Sequence, residues 1–90
     1  MHRQLYGTID NFERFAIEYY LLESTIKFEG KSVCVYGVEI QTNMEAQVIS
    51  DVSANKEAVE FMLEKLIRNS ITPIALKDVI LDLIEGDHLV

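Results

Sequence analysis

Near Ser53 the apolar residues of this chain change their spacing, and that change limits the fold more than anything else in the sequence. Before it, Ser24, Ile26 and Phe28 alternate with Glu23, Thr25 and Lys27, the period-two pattern of a strand. After it, Val59, Met62, Leu63, Leu66 and Ile67 recur at helical spacing. Strands followed by helices imply an α+β domain, with the helices gathered on one face of an antiparallel sheet.

The punctuation fills in the order. Phe15 to Phe28 reads as a long strand, rich in aromatic and β-branched residues. Glu29-Gly30-Lys31 is a turn, with Gly30 free to take positive φ. Val33 to Gln41 is a second strand, Thr42 to Glu45 a second turn, and Ala46 to Val52 a third strand. Ser53 or Asn55 can cap the first helix, which should stop near Ser70. Thr72-Pro73 opens a second helix, because proline's missing N–H is not needed in the first turn. Its stripe is Leu76, Val79, Ile80, Leu83 and Ile84, and Gly86 is placed to end it as a left-handed cap. The expected architecture is a three-stranded antiparallel meander with a C-terminal helical hairpin packed on one sheet face, β-β-β-α-α, over residues 15–86. Residues 1–14 are mixed in character, and a short strand, a helical turn and a frayed arm all fit them; residues 87–90 read as a tail.

Size and charge narrow the function classes. Ninety residues make one domain, and an apolar share of 49% is globular composition. Fifteen acids stand against eight bases, for a net charge of −7. The bases are scattered, and after Lys77 the side chains carry only negative charge. That argues against nucleic acid and against an anionic membrane surface, both of which ask for a concentrated basic face. The single cysteine, Cys34, rules out an intrachain disulfide. No apolar run reads as a signal or a membrane span, so the cytoplasm is the expected location.

No catalytic constellation emerges. Cys34 sits among Val33, Val35 and Tyr36 and reads as a buried structural thiol. The histidines, His2 and His88, lie near opposite ends of the chain, which leaves no triad and no ligand set for a metal. Glu57, Glu60 and Glu64 share one helix face, and Asp78, Asp82 and Glu85 another, as solvated faces do. The glycines are isolated, so no loop cradles a phosphate. The expectation is therefore no catalytic residue, no cofactor and no metal.

Surplus apolar surface is the more informative feature. On a helical wheel Phe61 falls about 200° from the Val59 stripe, among Glu57, Glu64 and Arg68. Ile74 and Leu81 share the flank of the second helix away from its stripe. The first strand is apolar in both phases, with Tyr19 and Leu21 on one face and Tyr20 and Leu22 on the other, while helices cover a single face. Residues 1–14 folding over the open face, a bulge near Tyr19-Tyr20, or scattered exposure would each account for this. A partner surface accounts for it too, most simply a second copy of the chain. The interface candidates are Tyr19, Leu21, Phe61, Ile74 and Leu81.

Four segments also carry a resemblance: Glu18 to Ser24, Tyr36 to Ile40, Ile49 to Ser53, and Thr72 to Ile80. Together they resemble a small family of single-domain bacterial proteins classed as of unknown function. The resemblance spans roughly residues 15–85, leaves residues 1–14 outside, and implies no activity. The functional expectation is a non-catalytic protein-interaction or self-associating module. The alternative is a small-ligand sensor whose pocket, between sheet and helices, is lined by Tyr19, Tyr20 and Tyr36; an enzyme ranks third.

Overall fold

The computed structural model describes residues 1–10 and 16–86. Its elements are β1 (His2–Asp10), β2 (Ala16–Phe28), β3 (Lys31–Gln41), β4 (Ala46–Ser53), α1 (Lys56–Arg68), a 3-10 turn (Pro73–Ala75) and α2 (Leu76–Gly86). The sheet is antiparallel in the order β1-β2-β3-β4. It therefore has four strands rather than three, and the additional one lies in the segment left undecided above. The sequence hid it because β1 changes phase. His2 to Leu5 pair with Glu23 to Tyr20, but the register then shifts and Gly7 faces Tyr19. Arg3 and Leu5 thus share a sheet face with Leu22 and Tyr20, whereas Gly7 and Ile9 share the other with Tyr19 and Ile17. One bulged residue, Tyr6, inverts the alternation by which a strand is recognised. The Phe12 and Phe15 positions lie outside the described residues.

The helix-covered face is the one built on Ile17, Tyr19 and Leu21. Tyr19 pairs with Ile40 and Leu21 with Val38, and these residues pack against Val59, Met62, Leu63 and Leu66 of α1 and Leu76 and Ile80 of α2. Tyr19, Val38, Ile40, Val59, Leu63, Leu66 and Leu76 are fully buried. Each large apolar side chain in such a core contributes about 1.5–3 kcal/mol relative to exposure. Tyr19 and Leu21 are consequently core residues, not an open-face interface as their phase alone suggested.

Local chemistry sets the helix limits. Asn55 caps α1, its side-chain oxygen accepting from the Ala58 N–H at 3.2 Å, while Ser53 Oγ accepts from the Asn55 N–H at 3.0 Å. The far end closes with the Ser70 N–H on the Ile67 carbonyl and the Ile71 N–H on the Leu66 carbonyl, both at 3.0 Å. That is a Schellman motif, and Ser70 supplies its left-handed residue at φ +51°. The Ile71 carbonyl then accepts the Tyr19 hydroxyl at 2.8 Å, which ties the helix connection to the sheet. Thr72 makes no side-chain cap bond, and Pro73 opens a 3-10 turn before α2 begins. Gly86 is the last residue of α2 itself, not a cap beyond it.

Gly37 accommodates a second irregularity. Tyr36 pairs with Ser53 but Val38 with Ile49, so β4 bulges opposite Gly37. A Cβ at Gly37 would run into the carbonyl of Ile49 and the backbone of Ser50. Glycine is thus what lets β4 cross there, beside Leu22 on the face away from the helices.

Candidate functional site

The face away from the helices is less bare than two apolar phases imply. The Arg3 guanidinium lies 3.8 Å from the centroid of the Tyr20 ring. It also pairs with Glu39 at 3.7 Å and donates to Gln41 Oε1 at 3.4 Å. The Tyr20 hydroxyl donates to Glu18 Oε1 at 3.1 Å. These contacts leave Tyr20 at 9% exposure and Glu39 at 8%. The Arg3 pKa is raised, first through its hydrogen bond with Tyr20 and then by the charge of Glu39. The lid on this face is therefore a cation over an aromatic ring, supplied by β1. With that, the N-terminal segment does cover part of the sheet.

Beyond this lid the cover thins: Val35, at the root of the arm, is still buried, whereas Ile26 and Phe28 further out are exposed. β1 pairing stops at Glu23, and β4 pairing stops at Tyr36. Ser24–Phe28 and Lys31–Val35 therefore pair only with each other, forming a two-stranded arm that runs on from the sheet. Glu29 and Gly30 both have positive φ, at +52° and +78°, the demand of the tight turn that closes a two-residue hairpin loop. One arm face carries Ile26 and Phe28 across from Val33; the other carries Thr25, Lys27, Ser32 and Cys34. Phe28 is 61% exposed and Ile26 38%.

A second apolar feature is a groove of about 410 Å³ between β4 and α2. Val48, Ile49 and Val52 line one wall, and Ile80, Leu81 and Ile84 the other, with Asp51 and Lys77 on the rim. Val48, Leu81 and Ile84 are all exposed.

The sequence candidates fall in different places. Leu81 belongs to the groove. Phe61 is exposed, but it lies beside Met62, Lys65 and Leu83 in a separate shallow cleft, with Lys65 Nζ 4.6 Å from its ring centroid. Ile74 is 82% exposed in the 3-10 turn. Tyr19 and Leu21 lie in the core. Sequence reasoning missed Ile26, Phe28, Val48 and Ile84. The available signal for the first two was that the hairpin strands are longer than the strands beside them.

The three tyrosines of the sensor reading do not meet in one pocket. Tyr19 faces the helices, Tyr20 faces the opposite side, and Tyr36 borders a shallow surface hollow with Ser53 to Glu57. Cys34 is half-exposed rather than buried, because it lies on the arm, beyond the end of β4 pairing. The neighbouring Cys34 thiol, more than burial, pushes the Tyr36 phenol up to about 12. Burial alone takes Tyr19 to about 12. Tyr6 is raised by burial and by the carboxylates of Glu64 and Glu60 on α1. Among the described residues, no three histidine, cysteine or acidic side chains converge as metal ligands would, and no helix is long and apolar enough to cross a membrane.

The model of a family of unknown function, DUF6514, matches residues 4–86. The chain belongs to that family. The DUF6514 match starts within β1, so the N-terminal strand is part of the family's domain and not an appendage outside it. No curated protein and no solved structure matches the chain.

Proposed function

We propose that the chain is a non-catalytic interaction module that associates with a second copy of itself in the cytoplasm. The observation that supports this is where the unused apolar surface lies. The core accounts for the helix stripes and the inner sheet face, yet Ile26 and Phe28 remain exposed together on the arm and Val48, Leu81 and Ile84 together at the β4–α2 groove, whereas Leu5, Met44, Phe61 and Ile74 are exposed at separate positions. Contiguous exposed apolar surface of this kind marks interaction sites. The catalytic alternative has little to build on, since the acidic side chains of the helices are spread along their outer faces and Cys34 stands alone on the arm.

Light scattering coupled to size exclusion, over a wide range of protein concentrations, tests this reading. The expected result is a mass that rises from one chain to two. A mass of one chain throughout would end it.

A further inference from the structure

The arm and the groove are complementary in a way that identifies what covers each. Resting on the self-association just proposed, we infer that the arm of one copy seats its Ile26–Phe28–Val33 face in the β4–α2 groove of a second copy, and that the second copy reciprocates.

The arm needs a partner outside its own chain. A two-stranded ribbon is marginal in water unless one face is covered. Its strands continue β2 and β3 without a break, so it cannot turn back onto the groove of its own chain. It runs for about 17 Å, five residues at strand rise, in a molecule 49 Å long and 19 Å thin. The groove is lined by aliphatic side chains on both walls, and its exposed residues match the arm's in kind.

Charge favours this pairing over two arms stacking on each other. The arm carries Lys31 across from Phe28 on its apolar face and Lys27 on the other, against Glu29 alone, a positive segment in a chain of net charge −7. The groove itself is lined by one acid and one base, Asp51 and Lys77, and on α2 the acids Asp78 and Glu85 lie about one turn before and after Leu81. Arm on groove brings Lys31 toward these acids, whereas stacking the two apolar arm faces would set Lys31 against its own copy. Like charges across an interface are costly. A twofold axis closes the assembly, because each copy then gives one arm and receives one. The doubling also matters for area. One short ribbon covers only part of the roughly 1,200 Å² at which specific interfaces begin, and two reciprocal contacts double it.

The test uses two charge substitutions and their mixture. Phe28→Asp lies at the arm tip and Leu81→Asp at the groove wall, both exposed, so circular dichroism should report native folding for each. Each variant alone is expected to dimerise at least about 30-fold more weakly than the unaltered chain, the loss typical of an interface anchor. Mixed one to one, they should partly recover the dimer. The arm of the Leu81→Asp chain and the groove of the Phe28→Asp chain are both intact and form one good contact. Two weakened variants that show no recovery on mixing would overturn the reciprocal docking. A dimer unmoved by either substitution would overturn this docking while leaving self-association standing. A dimer lost with Phe28→Asp but kept with Leu81→Asp would move the arm off the groove and overturn it equally. A chain that is monomeric without any substitution would remove the self-association reading itself.

Discussion

The same two strands live in two environments, and the contrast explains most of the molecule. In its first half, from Glu18 to Glu23, β2 has β1 on one side and β3 on the other, helices over one face and Arg3 over the other. In its second half, from Ser24 to Phe28, it has β3 alone. The residue types barely change: Leu22 and Ile26 are both aliphatic strand residues in the same phase. Yet Leu22 is 1% exposed and Ile26 38%. Strand preference formed both halves, but only tertiary cover distinguishes a core from an interaction surface.

The largest expected effect tests that contrast directly. Leu66→Ala and Ile80→Ala remove side chains from the covered half and should each cost about 2–5 kcal/mol, as buried aliphatic truncations do. Phe28→Ala and Phe61→Ala remove larger side chains from exposed positions and should each cost under about 1 kcal/mol in dilute, monomeric protein. Urea unfolding followed by circular dichroism measures all four. Equal losses at Phe28 and Leu66 under those conditions would mean that the arm is packed within its own chain, and the comparison would collapse.

Alkaline titration sharpens the contrast, because the two halves place a tyrosine at about 12 for different reasons. Tyr19 is there through burial in the covered half. Tyr36, at the root of the arm, is there mainly through the neighbouring Cys34 thiol. In both, the folded pKa is raised above the unfolded value near 10. The associated stability is full below pH 10 and is lost as pH rises toward 12, since the unfolded chain sheds the proton first. Two pH units bound the Tyr19 contribution at roughly 2–3 kcal/mol. Tyr19→Phe should therefore flatten the fall in stability between pH 10 and 12, after an initial cost of about 1 kcal/mol for leaving the Ile71 carbonyl unpartnered. Cys34→Ala should lower the Tyr36 titration and remove the Tyr36 share of that fall, leaving the Tyr19 share in place. Absorbance titration of the phenolates and urea melts across this pH range separate the two. A Tyr19→Phe protein with the same alkaline fall would place the sensitive group elsewhere.

How much of this could be read from the sequence follows the same division. The helices were legible because Val59, Met62, Leu63 and Leu66 repeat without interruption and Asn55 caps them. The β2–β3 hairpin was legible because Glu29-Gly30 needs positive φ and glycine allows it. β1 was not, because the bulge at Tyr6 moves its apolar residues from one face to the other. The inner face of β2 was not either. Tyr19 and Tyr20 are the same residue type in opposite phases, and what assigns them is an arginine far along the chain from the helices that bury Tyr19. The groove escaped because it exists only where α2 stands off from β4, a spacing no single segment encodes.

The smallest expected effect is the sharpest local probe, because the molecule holds one strained residue in each half. Ser70 at φ +51° closes the Schellman motif of α1, and Glu29 at φ +52° sits in the arm turn. A residue other than glycine or asparagine loses roughly 1 kcal/mol in this left-handed region. Ser70→Gly and Glu29→Asn each relieve the strain, so each should stabilise by some tenths up to about 1 kcal/mol. The difference lies in what becomes more stable. Ser70 is joined to the core through Ile71 and its bond from Tyr19, so relief there should raise the midpoint of global unfolding. Glu29 closes a ribbon that pairs with no other described strand and whose tip is exposed, and such a ribbon opens without unfolding the rest. Relief there should slow hydrogen exchange at the arm amides, such as those of Phe28 and Lys31, and leave the global midpoint where it was. If Glu29→Asn raised the global midpoint as much as Ser70→Gly, the arm would belong to the same cooperative unit as the sheet. A covering partner should produce that same coupling, so the exchange measurement repeated at high concentration reads out whether the arm has been seated.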